Sequence, residues 1–494
     1  TVCQQSTKKI FERKNNMAKY TSVFGNEMPK KVIAKAEKTK AKFIRKFGDD
    51  GNVKYTFSAV ENEVLAPLGT KVLVKGDGAR FSDRSVIIGN IRMGFGHYRI
   101  SMAMASCAHA LGFEPVWLDL NSFPDSTCTK LISYQNDLYS MGSRLSDKSR
   151  LFNKLYWEPL NSEGFRKLSY NSCDQAASEL TANLLRDLPK NVPFVATHAW
   201  PAQAAVCAGF ERVVNAVPDN WPMALHLAEG SLHTVQTPSS FLGYKALRGM
   251  DKKRSLRPIP DGELAYTGHY VDHEFVSNLE NDTALRVDRI KSGKAKRYLL
   301  TVGGAGAQKE IFRRVIETLL PEIKAGKATL FLNVGDHKNV WEGLLNEIPA
   351  LASATLFEND YCAASAFAAQ ALNGDVNGIY AFCHEDIFAA VYITNLLIRA
   401  CDVLVTKPSE LSFYPVPKLF IHRVGGHEAY GALRSAEVGD GTYECETPRE
   451  TADMIKLMQT DSEVLLSFND AILKNKAAGI YDGAYNVIRL ATAR

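Results

Sequence analysis

From about residue 70 onward, short apolar runs alternate with segments in which apolar residues recur at helical spacing. The runs at 85–90 (SVIIGN) and 114–120 (EPVWLDL) predict buried strands, because they are short and mostly apolar. Residues 99–111 between them predict a helix that ends at Gly112. Strands and helices in such alternation are typical of a parallel sheet covered by helices on both faces.

This alternation occurs in two successive series. The second series starts at 295–308 (AKRYLLTVGGAGAQ), where a strand, a glycine turn and a helix follow one another. The polar residues 270–295 are expected to hold the linker. The apolar stretch 387–405 contains Arg399 and Asp402, so it predicts a buried helix running into a strand and not a membrane span. Further predicted strands lie at 70–76, 193–200, 212–219, 232–239, 263–272, 328–336, 401–409 and 417–423.

We therefore predict an α/β protein with two Rossmann-like doubly wound domains that face a cleft, preceded by an N-terminal basic helical extension. The length of 494 residues suits two domains of ordinary size. The predicted boundaries are 1–68 for a helical and partly disordered extension, 69–275 and 276–450 for the two domains, and 451–494 for helices that pack back on the first domain.

Charge is spread unevenly along the chain, with an excess of basic residues near the N-terminus. The whole chain has a net charge of +5, whereas residues 29–48 alone carry a net charge of +7. Their apolar residues fall on one helical stripe. This pattern leaves two interpretations open: a solvated helix packed on the first domain, or a helix that lies on an anionic membrane surface. Because the basic charge is confined to this segment, we expect no nucleic-acid partner.

Cysteine usage and hydropathy place the chain among soluble proteins of a reducing compartment. The nine cysteines are odd in number and include no Cys-x-x-Cys pair, which argues against a disulfide framework or a structural zinc site. We expect a cytoplasmic protein, with peripheral attachment to the inner face of a membrane left open. We expect no metal, because the metal-like residues His269, Asp272 and His273 lie in the predicted domain crossing, where a structural role is favoured. The sequence leaves the oligomeric state open.

The turn after strand 85–90 holds the first candidate site. Gly94 and Gly96 flank Phe95 and allow the backbone to approach a ligand closely. His97 falls at the start of the following helix, where anions bind and where a base can be held. Two roles stay open for His97: general base, or a hydrogen-bonding partner of a phosphate that also caps the helix.

Two further segments follow predicted strands of the second domain. The turn after 296–302 contains Gly303, Gly304 and Gly306, whose amides can hold a phosphate at a helix N-terminus. The segment 406–435 contains a lysine directly after a buried strand and a Gly-Gly-His-Glu turn after the next one. Its candidate residues are Lys407, Ser409, Gly425, Gly426, His427 and Glu428.

The order of these motifs resembles a GT-B glycosyltransferase. Gly-x-Gly-His in the first domain and Gly-Gly-x-Gly in the second, followed by "ACDVLVTK" and "GGHE", are similar to the monogalactosyldiacylglycerol synthases and to the N-acetylglucosaminyltransferases that make the lipid precursor of peptidoglycan. The stretches "VATHAWPAQ", "NAVPDNWPMALHLAEGSLHTVQTPSS" and "YTGHYVDHEF" are similar to segments of the galactolipid synthases in the same order. The resemblance spans about residues 85–440.

The resemblance implies an inverting, metal-independent transfer of a sugar from a nucleotide-diphosphate sugar, UDP-linked in our expectation, to an acceptor such as a lipid. It implies no cofactor beyond this co-substrate. His97 is the expected base, and Asp219 is expected to orient or replace it. Phe382 lies where relatives bring backbone to the nucleobase, and the glycine turns, Lys407 and the loop 425–428 are expected to bind the donor.

The chain departs from the family pattern after the lysine. Segment 406–420 is shorter than in the family, and Pro415 and Pro417 would cut short the helix whose glutamate binds the donor ribose. Glu410 is the residue left to take that role. These departures leave two alternatives to a transferase: a sugar-nucleotide epimerase, which would need carboxylates that the Gly-x-Gly-His region does not supply, and a non-catalytic sugar-nucleotide sensor or assembly protein.

Overall fold

The computed structural model describes residues 19–303 and 308–493, which divide into two compact units. Of these residues, unit 1 comprises 19–93, Ile100–His273 and 482–493. Unit 2 comprises Gly94–Arg99 and Glu274–Tyr481. The short segment Gly94–Arg99 thus leaves a strand of unit 1 but packs within unit 2.

Unit 1 is built on one large sheet and a small two-stranded hairpin. Its strands are β1 (Ser22–Val23), β2 (Asn26–Glu27), β3 (Phe57–Glu61), β4 (Lys71–Lys75), β5 (Ser85–Asn90), β6 (Glu114–Asp119), β7 (Phe194–Ala196), β8 (Val213–Ala216), β9 (Leu232–Val235) and β10 (Leu264–Tyr266). Its helices are α1 (Lys30–Phe47), α2 (Phe95–Ala110), α3 (Thr127–Lys148), α4 (Arg150–Phe152), α5 (Leu168–Thr181), α6 (Ala199–Cys207) and α7 (Pro238–Lys245).

The large sheet has the order β10-β9-β8-β7-β5-β6-β4-β3, with only the β3–β4 pair antiparallel. Every residue of β5, β7 and β8 is buried, as expected for strands covered on both faces. The chain leaves β5 toward β6 and later returns to β7 on the other side of β5. The carboxyl ends of β5 and β7 therefore form the topological switch point of unit 1, where open α/β sheets bind ligands.

The N-terminal region is more integrated than we expected. Instead of standing apart in an extension, β3 is an edge strand of the large sheet, and α1 packs with the apolar side of its helix against unit 1. Phe43 of α1 is buried with Leu131, Ala177 and Leu180. The apolar stripe of this basic helix is therefore used in packing, as the first of our two interpretations predicts.

Unit 2 contains a second sheet made entirely of parallel strands. These are β11 (Lys296–Thr301), β12 (Ala328–Gly335), β13 (Thr355–Glu358), β14 (Gly378–Cys383), β15 (Val403–Thr406), β16 (Lys418–Phe420) and β17 (Gly441–Glu444). Its helices are α8 (His273–Lys291), α9 (Lys309–Lys324), α10 (Lys338–Glu347), α11 (Tyr361–Asn373), α12 (Ile387–Ala400), α13 (Ala429–Val438), α14 (Pro448–Thr460) and α15 (Glu463–Ala477). The last helix, α16 (Gly483–Thr492), belongs to unit 1.

The strand order of unit 2 is β13-β14-β12-β11-β15-β16-β17. From β11 the chain runs outward through β12 and its neighbours and then returns to β15 on the opposite side of β11. The carboxyl ends of β11 and β15 are thus the switch point of this sheet. Since right-handed crossovers in opposite directions place helices on opposite faces, both sheets are doubly wound, and the predicted α/β class is confirmed.

Three expectations for unit 2 differ from the structure. Residues 273–291, taken as part of a linker, form α8, which buries Phe275, Leu279 and Arg286. The polar sequence of α8 gives no sign of this buried face, because some of its charged side chains are paired inside the protein. Strands β13, β14 and β17 were not predicted, and of the C-terminal helices only α16 packs in unit 1.

Within residues 19–303 and 308–493, no helix combines the length and the apolar character that crossing a membrane requires.

One buried carboxyl group of unit 1 makes its stability depend on pH. Asp174 of α5 is buried and accepts a hydrogen bond from Nε1 of Trp200 at 3.2 Å. Burial raises the pKa of Asp174 to about 7, and the bond from Trp200 opposes this only in part. The folded protein therefore holds the proton more tightly than the unfolded chain does, so this stabilisation is complete in acid and is lost as the pH rises toward about 7.

We expect Asp174→Asn to raise the free energy of unfolding at pH 8 by about 2–4 kcal/mol, because the amide keeps the acceptor for Trp200 without a charge. At pH 4 the variant should match the parent protein. Chemical denaturation followed by tryptophan fluorescence at the two pH values measures this, with the exposed Asp137→Asn as control. Equal stability of Asp174→Asn and the parent at pH 8 would contradict a raised pKa of the buried Asp174.

Candidate functional site

The switch point of unit 2 brings together a glycine and a lysine from two neighbouring parallel strands. Gly303 follows β11 and Lys407 follows β15, and the strand ends are joined by a hydrogen bond from Oγ1 of Thr301 to Oγ1 of Thr406 at 3.0 Å. A Cβ placed on Gly303 would lie 3.0 Å from Cε of Lys407. Glycine at this position therefore leaves room for the lysine side chain to cross the end of β11.

Lys407 forms an ion pair with Glu428 of the loop after β16. The second carboxylate oxygen, Oε2 of Glu428, accepts hydrogen bonds from the backbone N–H groups of Val424 at 2.8 Å and Gly425 at 3.2 Å. Burial raises the pKa of Glu428, but Lys407 and His427 outweigh it and hold the pKa below its ordinary value. The pair thus fixes the Gly-Gly-His-Glu loop beside the switch point with both charges in place.

The other residues of this loop are arranged around its glycines. A Cβ on Gly425 would lie 2.7 Å from Cε1 of His427, so the imidazole folds over the glycine. Gly426 begins the 3-10 turn Gly426–Glu428. Within the described part of the chain, Nδ1 of His427 is buried without a hydrogen-bond partner. An imidazole nitrogen in this state can donate to, or accept from, a ligand that approaches the loop.

Segment 409–413 forms a single 3-10 turn, Glu410–Phe413, in place of the family's longer helix. The N–H of Ser409 donates to the carbonyl of Lys407 at 2.8 Å, which turns the chain away from β15. Oε1 of Glu410 accepts a hydrogen bond from Nε of Arg99 at 3.2 Å. The predicted role of Glu410 in binding the donor ribose stays a prediction, but its structural partner is a residue that the sequence did not single out.

The Gly-x-Gly-His segment is fixed to unit 2 by the same arginine. Arg99 is buried, and its Nη1 donates to the carbonyl of Val391 at 3.2 Å and to Oδ1 of Asn395. A Cβ on Gly96 would lie 3.0 Å from Oε2 of Glu410, so this glycine makes room for the carboxylate. A carboxylate therefore does reach the Gly-x-Gly-His segment, which corrects our expectation that the region supplies none.

Gly94 and His97 occupy the turn and the helix start that the sequence predicts. Gly94 has a φ of +115°, a conformation that side chains rarely adopt, and α2 begins at the next residue. His97 lies in the first turn of α2 and is partly exposed. Phe95 packs against Gly335 at the end of β12, where a Cβ would lie 2.6 Å from the ring.

Asp219 lies in unit 1, after β8, and is held by a histidine. Nε2 of His226 is 3.1 Å from Oδ2 of Asp219, and Nδ1 of His226 is 2.6 Å from the hydroxyl of Tyr244. The hydroxyl of Tyr244 donates to the carbonyl of Trp221 at 3.1 Å. Burial, together with Asp219, raises the pKa of Tyr244 well above its ordinary value. Asp219 is one-third exposed, so the arrangement presents an oriented carboxylate at the carboxyl edge of unit 1.

Of the remaining predicted donor residues, the structure describes Phe382 but not Gly304 or Gly306. The side chain of Phe382 is buried and stacks on Phe357 with ring centroids 5.1 Å apart, so only its backbone is left for the predicted contact with a nucleobase. Gly304 and Gly306 lie outside the described residues. The neighbouring His384 is buried, and neither ring nitrogen has a partner within the described residues. Burial lowers the pKa of His384.

No group of three His, Cys, Asp or Glu side chains within residues 19–303 and 308–493 is placed to hold a metal ion. In the metal-like group of the domain crossing, Nδ1 of His273 pairs instead with the hydroxyl of Tyr485 in α16.

Two family models match the chain in succession. Residues 22–246 match one described as a domain of unknown function (DUF6937), and residues 259–492 match another described as a domain of unknown function (DUF6938). No curated protein matches the chain.

Among solved structures, the chain is similar to the UDP-GlcNAc 2-epimerase from Neisseria meningitidis bound to UDP-GlcNAc, with 11% identity, a TM-score of 0.44 and coverage of 81% of this chain and 97% of the epimerase. It is similar to a glycosyltransferase from Rickettsia africae, with 11% identity, a TM-score of 0.38 and coverage of 82% and 96%. It is also similar to a UDP-forming α,α-trehalose-phosphate synthase from Burkholderia vietnamiensis, with 11% identity, a TM-score of 0.40 and coverage of 83% and 99%. Similarity at this level bears on neither substrate nor reaction.

Proposed function

We propose that unit 2 binds the diphosphate of a nucleotide sugar at the carboxyl ends of β11 and β15, and that the protein is a glycosyltransferase. The observation that carries this proposal is the position of Lys407, whose stem crosses Gly303 and whose ammonium group meets Glu428 at the switch point of the sheet. A diphosphate is bound by backbone N–H groups at close range and by a compensating positive charge. A glycine turn with a lysine beside it can supply both.

The proposed reaction is an inverting transfer that needs no cofactor beyond the nucleotide sugar. A base removes the proton of the acceptor hydroxyl, whose oxygen attacks the sugar carbon, and the nucleoside diphosphate leaves. Lys407 and the glycine turn would stabilise the charge that develops on the leaving diphosphate. His97, at the start of α2, is the proposed base. Asp219 is the alternative, and its support is the orientation that His226 gives to its carboxylate.

If the diphosphate binds here, Lys407→Ala should weaken UDP binding by about 10- to 100-fold, the usual loss for a hydrogen bond to a charged group. Isothermal titration calorimetry measures the dissociation constant. A matched control is Lys294→Ala, because Lys294 also pairs with a carboxylate, Asp375 at 3.2 Å, but precedes β11 at the opposite edge of the sheet. Equal affinities of Lys407→Ala and the parent protein, with Lys294→Ala also unchanged, would exclude this placement of the diphosphate.

If His97 is the base, His97→Ala should lower turnover by about 100- to 10,000-fold and leave UDP affinity nearly unchanged. The measurement is steady-state release of UDP from a panel of UDP-sugars and acceptors, together with calorimetry of UDP. A parallel fall in UDP affinity would assign His97 to phosphate binding instead. Normal turnover in His97→Ala, combined with loss of turnover in Asp219→Asn, would transfer the role of base to Asp219.

One observation favours a second candidate, a sugar-nucleotide epimerase. Such an enzyme needs a carboxylate that can move a proton at a sugar carbon, and Glu410 lies against Gly96 beside His97. Incubation of UDP-sugars in D₂O without acceptor separates the two reactions by NMR. Deuterium at a sugar carbon and a second epimer indicate the epimerase, whereas a transferase leaves the carbon-bound protons in place. Binding of UDP-sugars without either reaction would point to the sensor or assembly role.

A further inference from the structure

Helix α3 carries an apolar stripe that continues beyond the core of unit 1. Leu131 and Ile132 near its start are buried, but Leu138 and Leu145, one and two heptads after Leu131, are 44% and 45% exposed. The exposed apolar surface extends into the turns that follow α3. We call it the 138–156 patch, and it consists of Leu138, Met141, Leu145, Leu151, Leu155 and Tyr156. By their spacing, Leu138, Met141 and Leu145 share one face of α3, and clustered exposed apolar residues mark an interaction site more often than scattered ones do.

A neighbouring side of this segment is packed against the protein. Trp157 is buried against Gly142, where a Cβ would lie only 2.0 Å from the indole ring. The rings of Tyr139 and Trp157 lie 5.2 Å apart, and those of Tyr139 and Phe165 lie 6.4 Å apart. The segment therefore has one aromatic face that is fixed to the protein, beside the exposed residues of the 138–156 patch.

Charge within the same segment identifies the partner. Residues 138–156 contain four basic residues and one acidic residue, a net charge of +3. A symmetric contact with a second copy would bring these like charges together, and residues 1–18 of the chain also carry a net charge of +3. An apolar surface within a basic segment matches an anionic lipid surface, which offers acyl chains to the leucines and phosphate groups to the lysines and arginines.

We propose that the 138–156 patch docks unit 1 on an anionic membrane surface. This surface differs from α1, the basic helix whose apolar face is already used in packing. Leu151, Leu155 and Tyr156, which are the most exposed residues of the patch, enter the headgroup region, and the exposed Lys154 contacts the lipid phosphates. The proposal does not depend on the sugar-nucleotide activity, because it rests on a different surface.

Vesicle flotation of the full-length protein tests the docking surface. We expect binding to vesicles of phosphatidylcholine with about one-third phosphatidylglycerol, no binding to pure phosphatidylcholine, and release at about 1 M salt, where screening is strong. The double variant Leu151→Ser/Leu155→Ser should lower the partition coefficient by about tenfold or more, because each leucine contributes buried apolar area. Both residues are exposed, so the variant should fold as the parent does.

The matched control is Leu242→Ser, which changes a leucine of α7 that is as exposed as Leu151, at 69%. This control should float like the parent protein, and Lys154→Glu should weaken binding to the anionic vesicles. The proposal is overturned if the parent protein does not float with anionic vesicles at low salt, or if the double variant floats as the parent does. Loss of a concentration-dependent dimer in the double variant, without vesicle binding by the parent, would instead assign the patch to a second copy.

Discussion

Parallel strands impose the constraint on which the site depends. Each strand of a parallel ladder must be followed by a connection that crosses one face of the sheet, so all carboxyl ends of the strands gather at one edge. In unit 2 this brings Gly303, Lys407 and the loop 424–428 together although they are far apart in the sequence. Strands β12 and β15 lie on opposite sides of β11, so the edge of the sheet opens between the carboxyl ends of β11 and β15. Lys407 lies at this opening.

The ion pairs at this edge fix the orientation of the charged side chains of the site. Lys407 and Glu428 are mostly shielded from water, so the desolvation of each is offset by the other and by the two N–H groups bound to Glu428. The pair between Arg99 and Glu410 fixes the Gly-x-Gly-His segment in the same way. Charges that are already oriented need little reorganisation when a charged ligand arrives, which is the condition for electrostatic stabilisation of a leaving diphosphate.

The sequence predicts the strands with the clearest apolar runs and misses those without one. The central strands β5, β11, β12 and β15 are buried throughout and were predicted. Strand β13 is a partly exposed edge strand whose short run carries no such signal. Helix α8 was taken as part of a linker because its buried face includes charged residues. Asp282 accepts a hydrogen bond from Nε of Arg399, and Nε of Arg286 donates to the carbonyl of Cys401. Hydropathy patterns do not show that a charge will be buried with a partner.

The same limit applies to the site. Glycines and a lysine after predicted strands could be found from the sequence, because strand ends of a parallel sheet share an edge. The pairs Arg99–Glu410 and His226–Asp219 could not be found from the sequence, because only the folded chain brings the two residues of each pair together. The short turn 410–413 was foreseen from the prolines that follow it, but the arginine that binds Glu410 was not.

Hydrogen–deuterium exchange of the backbone amides with and without UDP tests whether a diphosphate binds at the carboxyl edge of unit 2. We expect saturating UDP to protect the amides of residues 407–412 and 424–429 at this edge, while the amino ends of the strands exchange as before. Protection confined to unit 1, or no protection at residues 407–412 and 424–429 at a UDP concentration shown by calorimetry to saturate the protein, would contradict it.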